Sequence, residues 1–426
     1  MAWKSKSLNY PSRFFLLVFL VWLLVCLAGA LPYYCTGYIP DFSAAVFESA
    51  SGFTTTGASV LRDIEALPAP LLLWRALTQW LGGMGIILLA VLLPQAGAGW
   101  FQTFNAPTSG FEKEKISPRI THRVWLLWLV YVGLTLMETL LLRCCGMDWL
   151  NAAMHSFSTV SSGGFSAYTD SIAHFNSPAI EWVCTAFMFA AGFNLFLILH
   201  VLRGKFSGVL RNSEARVYTV IVCVSGLIAA ACIYPRSPSF AAALRNGFFN
   251  TTSILSTTGF TTTDTGAWSA LAQALLFFLM IPGGCSGSTA GGIKIFRIVI
   301  LAKQTLNEIK KTIYPRGVFS IQLDGKSANK YIVYSVSAFA FLYFILILLT
   351  SLLVSSAGAD IFVSLNTALI CLGNIGTGLR SADSFALFSG FPAYVQWGLS
   401  FMMLVGRLEL LAVLVFFFPL SSVVKK

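Results

Sequence analysis

Charge is what this sequence has least of. Only 11% of its 426 residues are Asp, Glu, Lys or Arg, while 56% are hydrophobic. A soluble domain carries roughly 25% charged residues, so a globular fold in water is excluded. Histidine is nearly missing too: the chain has only His122, His155, His174 and His200. Its nine cysteines include no C-x-x-C pair, the one close pair is Cys144-Cys145, and most lie in apolar runs. That pattern excludes zinc-ligand spacing and a disulfide framework and leaves them as small core residues.

What the chain does have is apolar runs of about 18 residues or more, each long enough to cross a hydrocarbon core of ~30 Å. The fold expected is an all-α polytopic membrane protein. The first run follows basic residues and reaches Leu27-Ala28-Gly29-Ala30, as a signal peptide would, but its length and the spans after it mark a retained helix. The net charge of +11 raises nucleic acid as a partner, yet the basic residues fall in alternate connections. Lys4, Lys6 and Arg13 precede the first run. Lys113, Lys115, Arg119 and Arg123 share one loop; Arg203, Lys205, Arg211 and Arg216 share a second; Lys303, Lys310, Lys311, Arg316, Lys326 and Lys330 share a third; Lys425 and Lys426 end the chain. The connections between hold Asp41, Glu48, Asp63, Glu65, Asp148, Asp170, Glu181, Asp264, Asp360 and Asp383. This is the positive-inside pattern, with both termini cytoplasmic and no nucleic acid implied.

Four segments repeat: Ser51-Gly52-Phe53-Thr54-Thr55-Thr56-Gly57-Ala58, Ser158-Thr159-Val160-Ser161-Ser162-Gly163-Gly164-Phe165, Leu255-Ser256-Thr257-Thr258-Gly259-Phe260 and Leu372-Gly373-Asn374-Ile375-Gly376-Thr377. Aligned on Gly57, Gly163, Gly259 and Gly376 they recur at steps of 106, 96 and 117 residues, a period that fills the chain. The repeats are 1–94, 95–202, 203–302 and 303–426. Each opens with an apolar span at 14–34, 124–142, 217–234 or 331–355. A short stretch follows with a cap-like start at Asp41, Asp148, Ser239 or Asp360, then the Gly segment, then a second span at 71–94, 181–202, 269–302 or 394–418. From capping residue to aligned glycine there are 16, 15, 20 and 16 residues, too few to cross a membrane and return as helix. Eight main spans around four re-entrant loops result. Irregular backbone at membrane depth survives only where it is buried or lines water, which four loops on one central axis would satisfy.

Such loops suit a dehydrated cation. Converging backbone carbonyls supply its oxygen ligands, glycine permits the backbone angles that turn them inward, and the negative ends of the short helices lie nearby. Gly and Thr also serve close packing of membrane helices, but four matching loops at near-constant spacing favour a pore.

These phrases resemble the filter loops of the TrkH/KtrB/HKT superfamily of cation transporters. So do Gly283-Gly284-Cys285-Ser286-Gly287-Ser288-Thr289-Ala290-Gly291-Gly292-Ile293-Lys294 and the ending Gly406-Arg407-Leu408-Glu409. The wording is nearest TrkH, although the chain enters its first repeat directly, as KtrB proteins do. The resemblance implies the pore subunit of a bacterial potassium uptake system in the inner membrane. It implies no enzymatic activity and no covalently bound cofactor, with K⁺ as the transported ion. The filter would comprise Thr55, Thr56, Gly57, Ser161, Ser162, Gly163, Thr257, Thr258, Gly259, Asn374, Ile375 and Gly376. Some plant relatives that prefer Na⁺ carry Ser at the first-loop glycine, here Gly57. The implied partners are a second copy of the chain, surrounding lipid and a cytosolic nucleotide-binding ring of RCK type, TrkA- or KtrA-like.

Residues 282–292, Pro-Gly-Gly-Cys-Ser-Gly-Ser-Thr-Ala-Gly-Gly, cannot hold a firm helix inside the third repeat's second span. They match the family's intramembrane gate, with Gly283, Gly284, Ser286, Gly287, Ser288, Gly291 and Gly292 as its parts. Arg407, a charge within the last span, is a functional candidate by default and by resemblance a barrier below the filter. Glu409 stands two positions on and cannot face it on a helix. Glu138 reads as structural. Two other functions compete. A Na⁺-permeable or Na⁺-coupled transporter could share the architecture, although coupled carriers typically show two inverted repeats. An intramembrane serine protease could use Gly284-Cys285-Ser286-Gly287, but a Ser nucleophile needs an adjacent base and every histidine precedes it by more than eighty residues.

Overall fold

The computed structural model describes residues 10–92, 118–317, 319–324, 326–327, 330–376, 388–408 and 410. Lys4, Lys6, Lys113, Lys115, Asp383, Glu409, Lys425 and Lys426 lie outside them. One order of elements recurs: a long apolar helix, a short buried helix, an irregular loop and a returning helix. Helices α1 (Tyr10–Cys35), α2 (Phe42–Phe53) and α3 (Ala69–Leu92) come first. Next are α4 (Pro118–Cys144), α5 (Trp149–Val160), α6 (Pro178–Gly192), α7 (Leu195–Leu202) and a connecting α8 (Phe206–Arg211). Then come α9 (Ser213–Ile233), α10 (Phe240–Leu255), α11 (Ala270–Leu279) and α12 (Ile295–Ile313). A small antiparallel hairpin of β1 (Gln322–Leu323) and β2 (Lys326–Ser327) leads to α13 (Lys330–Ser355), α14 (Ile361–Gly373) and α15 (Ala393–Arg407).

Among the described residues five helical segments are long and apolar enough to cross a membrane: Leu16–Cys35, Ala69–Leu89, Val124–Cys144, Ser213–Arg236 and Tyr331–Ser355. Their surfaces are those of lipid-facing helices: Leu24, Leu129, Leu136 and Leu352 are each at least 60% exposed. The short helices invert this pattern. In α2, Ser43, Glu48, Ser49 and Ser51 are all buried. Polar inside and apolar outside is the distribution of a bundle solvated by hydrocarbon.

The four short helices start at the capping residues read from the sequence. Asp41, Asp148, Ser239 and Asp360 accept from the backbone N–H of Ser43 (3.1 Å), Leu150 (3.1 Å), Ala242 (3.2 Å) and Phe362 (3.2 Å), satisfying donors the helix start leaves free. Small residues let the helices close up: a Cβ on Gly247 of α10 would stand 2.7 Å from Ala230 N of α9.

One span departs from expectation. The stretch 181–202 is not one helix; α6 and α7 meet at 108°. Asn194 makes the break by capping α7, its side chain accepting from Phe196 N at 2.9 Å. The stretch 269–302 breaks where expected: it is helical in α11 and again from Ile295, with residues 282–292 irregular between them. Two acidic residues assigned to connections are also buried inside the bundle: Glu48 on α2 pairs with Arg75 of α3 at 2.9 Å, and Glu181 on α6 pairs with Arg245 of α10 at 2.6 Å.

Candidate functional site

Each short helix ends in the same turn. A left-handed residue stops it: Thr55 (φ 53°), Ser162 (57°), Thr257 (58°) or Asn374 (53°). Two positions later stands a left-handed glycine: Gly57 (83°), Gly164 (78°), Gly259 (82°) or Gly376 (89°). Left-handed backbone in Thr and Ser is costly and persists only where surroundings enforce it. Between the two, the N–H of Thr56, Gly163, Thr258 and Ile375 turns back to Ser51 O (2.8 Å), Ser158 O (2.8 Å), Ser253 O (2.9 Å) and Ile370 O (3.1 Å). The donors are spent on the helix ends, and among the described residues the carbonyls of Thr56, Thr258 and Ile375 accept no hydrogen bond, whereas Gly163 O accepts one from Gln79 Nε2.

This geometry corrects the register of the second loop. The counterpart of Gly57, Gly259 and Gly376 is Gly164, with Gly163 in the place of Thr56 and Thr258. The positive φ identifies it, and the distance from Asp148 becomes 16, as in the first and fourth units. The third unit's count of 20 reflects a longer helix, 16 residues against 12 or 13.

The loops close on one another in a ring. A Cβ on Gly57 would collide with Gly163 O, and one on Gly164 with Thr258 O. On Gly376 it would stand 2.9 Å from Thr56 O and 3.2 Å from Thr258 O. The first loop thus abuts the second, the second the third, and the fourth returns to the first. Only hydrogen fits at these glycines, and carbonyls of neighbouring loops lie against them.

At one end of the ring is a cavity of about 240 Å³ lined by Gly57, Gly164, Phe165, Asp170 and Asp264 among others. Arg75 also lines it, its guanidinium 4.1 Å from the Phe165 ring centroid and donating to Ser166 O at 3.0 Å. At the other end the segment between α11 and α12 crosses the bundle. It is tightly tied rather than loose. Thr289 Oγ1 pairs with Ser162 Oγ (2.8 Å) and donates to Val160 O (3.0 Å). Gly291 N donates to Thr257 Oγ1 (2.8 Å), and Gly292 N to Gly373 O (3.0 Å). The break between α6 and α7 receives its other side: Cys285 N donates to Gly192 O at 2.8 Å, and Leu195 N to Gly287 O at 3.1 Å. Gly283, Gly287 and Gly292 turn it with φ of 72°, 73° and 74°, and Ser288 Oγ closes a turn on Cys285 O at 2.6 Å. A Cβ on Gly284 would stand 2.8 Å from Gly192 O.

Two buried charges bracket this segment. Glu214 on α9 accepts from Ser286 N, from Ser286 Oγ at 2.7 Å and from Phe296 N at 3.2 Å, holding both ends of the irregular stretch. No histidine bonds Ser286 among the described residues; its hydroxyl is taken by Glu214. The residue before Glu214, Ser213, donates its N–H (2.7 Å) and Oγ (2.6 Å) to Asp324 of the hairpin. Arg407 is 4% exposed and donates from Nη1 to Thr289 O at 2.7 Å. Its Nε and Nη2, with Thr55 Oγ1 and Asn374 Oδ1, are buried without a protein partner among the described residues.

The sequence identified the loops, the crossing segment and Arg407, and the structure brings them together. It also adds Gln79, Asn194, Glu214 and Asp324, single polar residues that no local motif marks.

The model of the TrkH family, described as a cation transport protein, matches residues 3–219 and 228–426. The chain is 36% identical over 410 residues to the Trk system potassium uptake protein TrkH of Halomonas elongata, spanning 95% of this chain and 85% of that protein. It is 36% identical over 423 residues to TrkH of Escherichia coli, at 98% and 87% coverage. The crystal structure of the potassium transporter TrkH from Vibrio parahaemolyticus superposes with a TM-score of 0.87 at 31% identity, covering 98% of this chain and 87% of that one.

Proposed function

The chain belongs to the TrkH family of cation transport proteins, and on that premise we propose that it is the ion-translocating pore subunit of a bacterial potassium uptake system. One observation carries the reading: the ring in which the left-handed Gly57, Gly164 and Gly376 leave room only for a neighbouring loop's carbonyl. K⁺ would exchange its water for the carbonyls of Thr55, Thr56, Ser162, Gly163, Thr257, Thr258, Asn374 and Ile375, with Gly57, Gly164, Gly259 and Gly376 keeping the axis open. Ser161 sits one place before the turn, as Thr54 does in the first loop. Residues 1–94, 95–202, 203–302 and 303–426 are the four units that supply the loops.

The segment 282–292, with Gly283, Gly284, Ser286, Gly287, Ser288, Gly291 and Gly292, is the gate. Its bonds to Ser162, Thr257 and Gly373 support that role, because a cation leaving the filter meets it next. The unpartnered polar atoms of Thr55, Asn374 and Arg407 are the groups left to meet water or a permeating ion there. The relatives' names place them in a Trk system, which favours a TrkA-like nucleotide-binding ring and a homodimeric pore in the inner membrane, termini inside. The connection from α12 to α13 suits such a ring: it is basic, and Asp324 links it through Ser213 to Glu214 and the gate.

Expression in a bacterium lacking K⁺ uptake should restore growth on limiting K⁺, most strongly with a TrkA-like subunit present. Membrane-inserted protein that fails to rescue growth and moves neither K⁺ nor Na⁺, with or without a ring subunit, would end the reading.

A further inference from the structure

We propose that Gln79, on α3, is a specificity-determining positioning residue that replaces the side chain missing from the second filter loop. The inference rests on the filter reading above and concerns one carbonyl of the ring.

The position before the left-handed glycine is Thr56, Gly163, Thr258 or Ile375. In the first loop Thr56 Oγ1 bonds Thr54 Oγ1 at 2.7 Å and accepts from Asn374 Nδ2 at 2.8 Å. In the third, Thr258 Oγ1 bonds Ser256 Oγ at 2.8 Å. In the fourth, Ile375 is fully buried in the apolar core. Each side chain braces its own loop. Gly163 has none.

Gln79 fills that place from another unit. Its Nε2 donates to Gly163 O at 2.7 Å, and its Oε1 accepts from Phe165 N at 3.0 Å. The side-chain amide therefore spans Gly164 like a splint and uses both of its polar atoms. A Cβ on Gly163 would collide with Gln79 Cδ and stand 2.8 Å from Nε2. The residue at 163 is small because Gln79 occupies the space; its φ is not positive and does not itself require glycine. Gln79 is fully buried, and α3 is pressed into position here. A Cβ on Gly82 would collide with Phe53 O, and one on Gly83 would stand 2.8 Å from Ser161 Cβ.

The consequence is an unequal ring. Among the described residues no side chain donates to the carbonyls of Thr56, Thr258 or Ile375, whereas Gly163 O holds a hydrogen bond from a neutral amide. That bond fixes the carbonyl's direction and withdraws electron density from it, so it offers a cation a weaker field. Weaker fields favour the larger, more easily dehydrated ion. Losing the amide lets the carbonyl tilt and strengthens its field, and both changes favour Na⁺.

The test compares K⁺ and Na⁺ permeability of the full-length protein in lipid vesicles. Gln79→Ala should lower the K⁺/Na⁺ ratio by about tenfold, the size expected from one lost buried hydrogen bond, while K⁺ flux persists. Gly163→Ala alone should assemble poorly, and Gln79→Ala combined with Gly163→Ala should recover assembly and flux, because the new methyl enters the vacated space. If Gln79→Ala does not assemble, Gln79→Met supplies the reading, since it keeps the length and loses both bonds. An unchanged ratio in whichever of these variants assembles, or a double variant no better than Gly163→Ala, would overturn the inference. Wild-type protein passing neither ion would instead overturn the pore reading beneath it.

Discussion

Replacing Gly57 with serine should reduce the K⁺/Na⁺ permeability ratio by at least about tenfold, the largest selectivity effect expected of any single change in the chain. The backbone at Gly57 is left-handed, with φ of 83°. An L-residue pays ~1–2 kcal/mol for that conformation before any contact is counted, close to the ~1.4 kcal/mol that makes a tenfold change. The contact is worse than the torsion. The new Cβ collides with Gly163 O and lies 3.2 Å from Gly376 Cα, both in neighbouring loops. One substitution therefore displaces three of the four loops, and it adds a hydroxyl that can ligand a smaller ion. Gly37 supplies the control. It has a nearly identical φ of 77°, but a Cβ there meets nothing within 4 Å. Gly37→Ser should leave selectivity unchanged. Reversal potentials in K⁺/Na⁺ gradients read both variants, and an unaltered ratio in assembled Gly57→Ser protein would remove Gly57 from the filter.

Arg407→Ala should raise K⁺ flux about tenfold or more and shift the K⁺/Na⁺ ratio little. Guanidinium stays protonated in proteins, so Arg407 is a fixed positive charge with no acidic partner among the described residues. It lies beneath the fourth loop: at its neighbour Gly406 a Cβ would collide with Leu372 O and stand 3.1 Å from Asn374 Oδ1. A cation passing at ~4 Å in a medium of effective dielectric ~20 meets about 4 kcal/mol of repulsion. Water and screening reduce that figure, but a third of it still changes the rate tenfold. Removing the side chain also frees Thr289 O, one of the anchors of the crossing segment. Barrier and latch fall together, so both effects have the same sign. Arg407→Lys keeps the charge and should retain most of the barrier. Single-channel recording with a check of assembly decides: reduced flux from well-assembled Arg407→Ala would show that the arginine organises the pore rather than obstructing it. Deleting residues 283–292 is a poorer test, because Gly291 and Thr289 bond Thr257 and Ser162 of the proposed filter directly and selectivity would change too.

Much of this was legible in the sequence, for identifiable reasons. The capping residues Asp41, Asp148, Ser239 and Asp360 could be read because a helix start needs a side-chain acceptor wherever it occurs. The four loops could be read because left-handed positions leave a trace of glycine. The trace is ambiguous where two glycines adjoin. Gly163 and Gly164 satisfy the same pattern, and what separates them is Gln79, 84 residues earlier and visible only in three dimensions. The bend at Asn194 was hidden inside an apolar run, since one polar residue among Phe193, Leu195 and Phe196 does not disturb a hydropathy window. Glu48 misled in the opposite direction. A carboxylate between spans suggests a solvated loop, yet the Arg75 that neutralises it lies 27 residues on, in a different helix. Long-range polar pairs of this kind leave no periodicity.

The most direct measurement is ion flux through the purified wild-type protein in sealed vesicles, with K⁺ and Na⁺ gradients imposed separately. K⁺ should move down its own gradient with no Na⁺ or proton gradient present, at least tenfold faster than Na⁺ does. Equal passage of the two ions, or K⁺ movement that stops when Na⁺ is withdrawn, would contradict a ring of carbonyls acting as a potassium-selective pore.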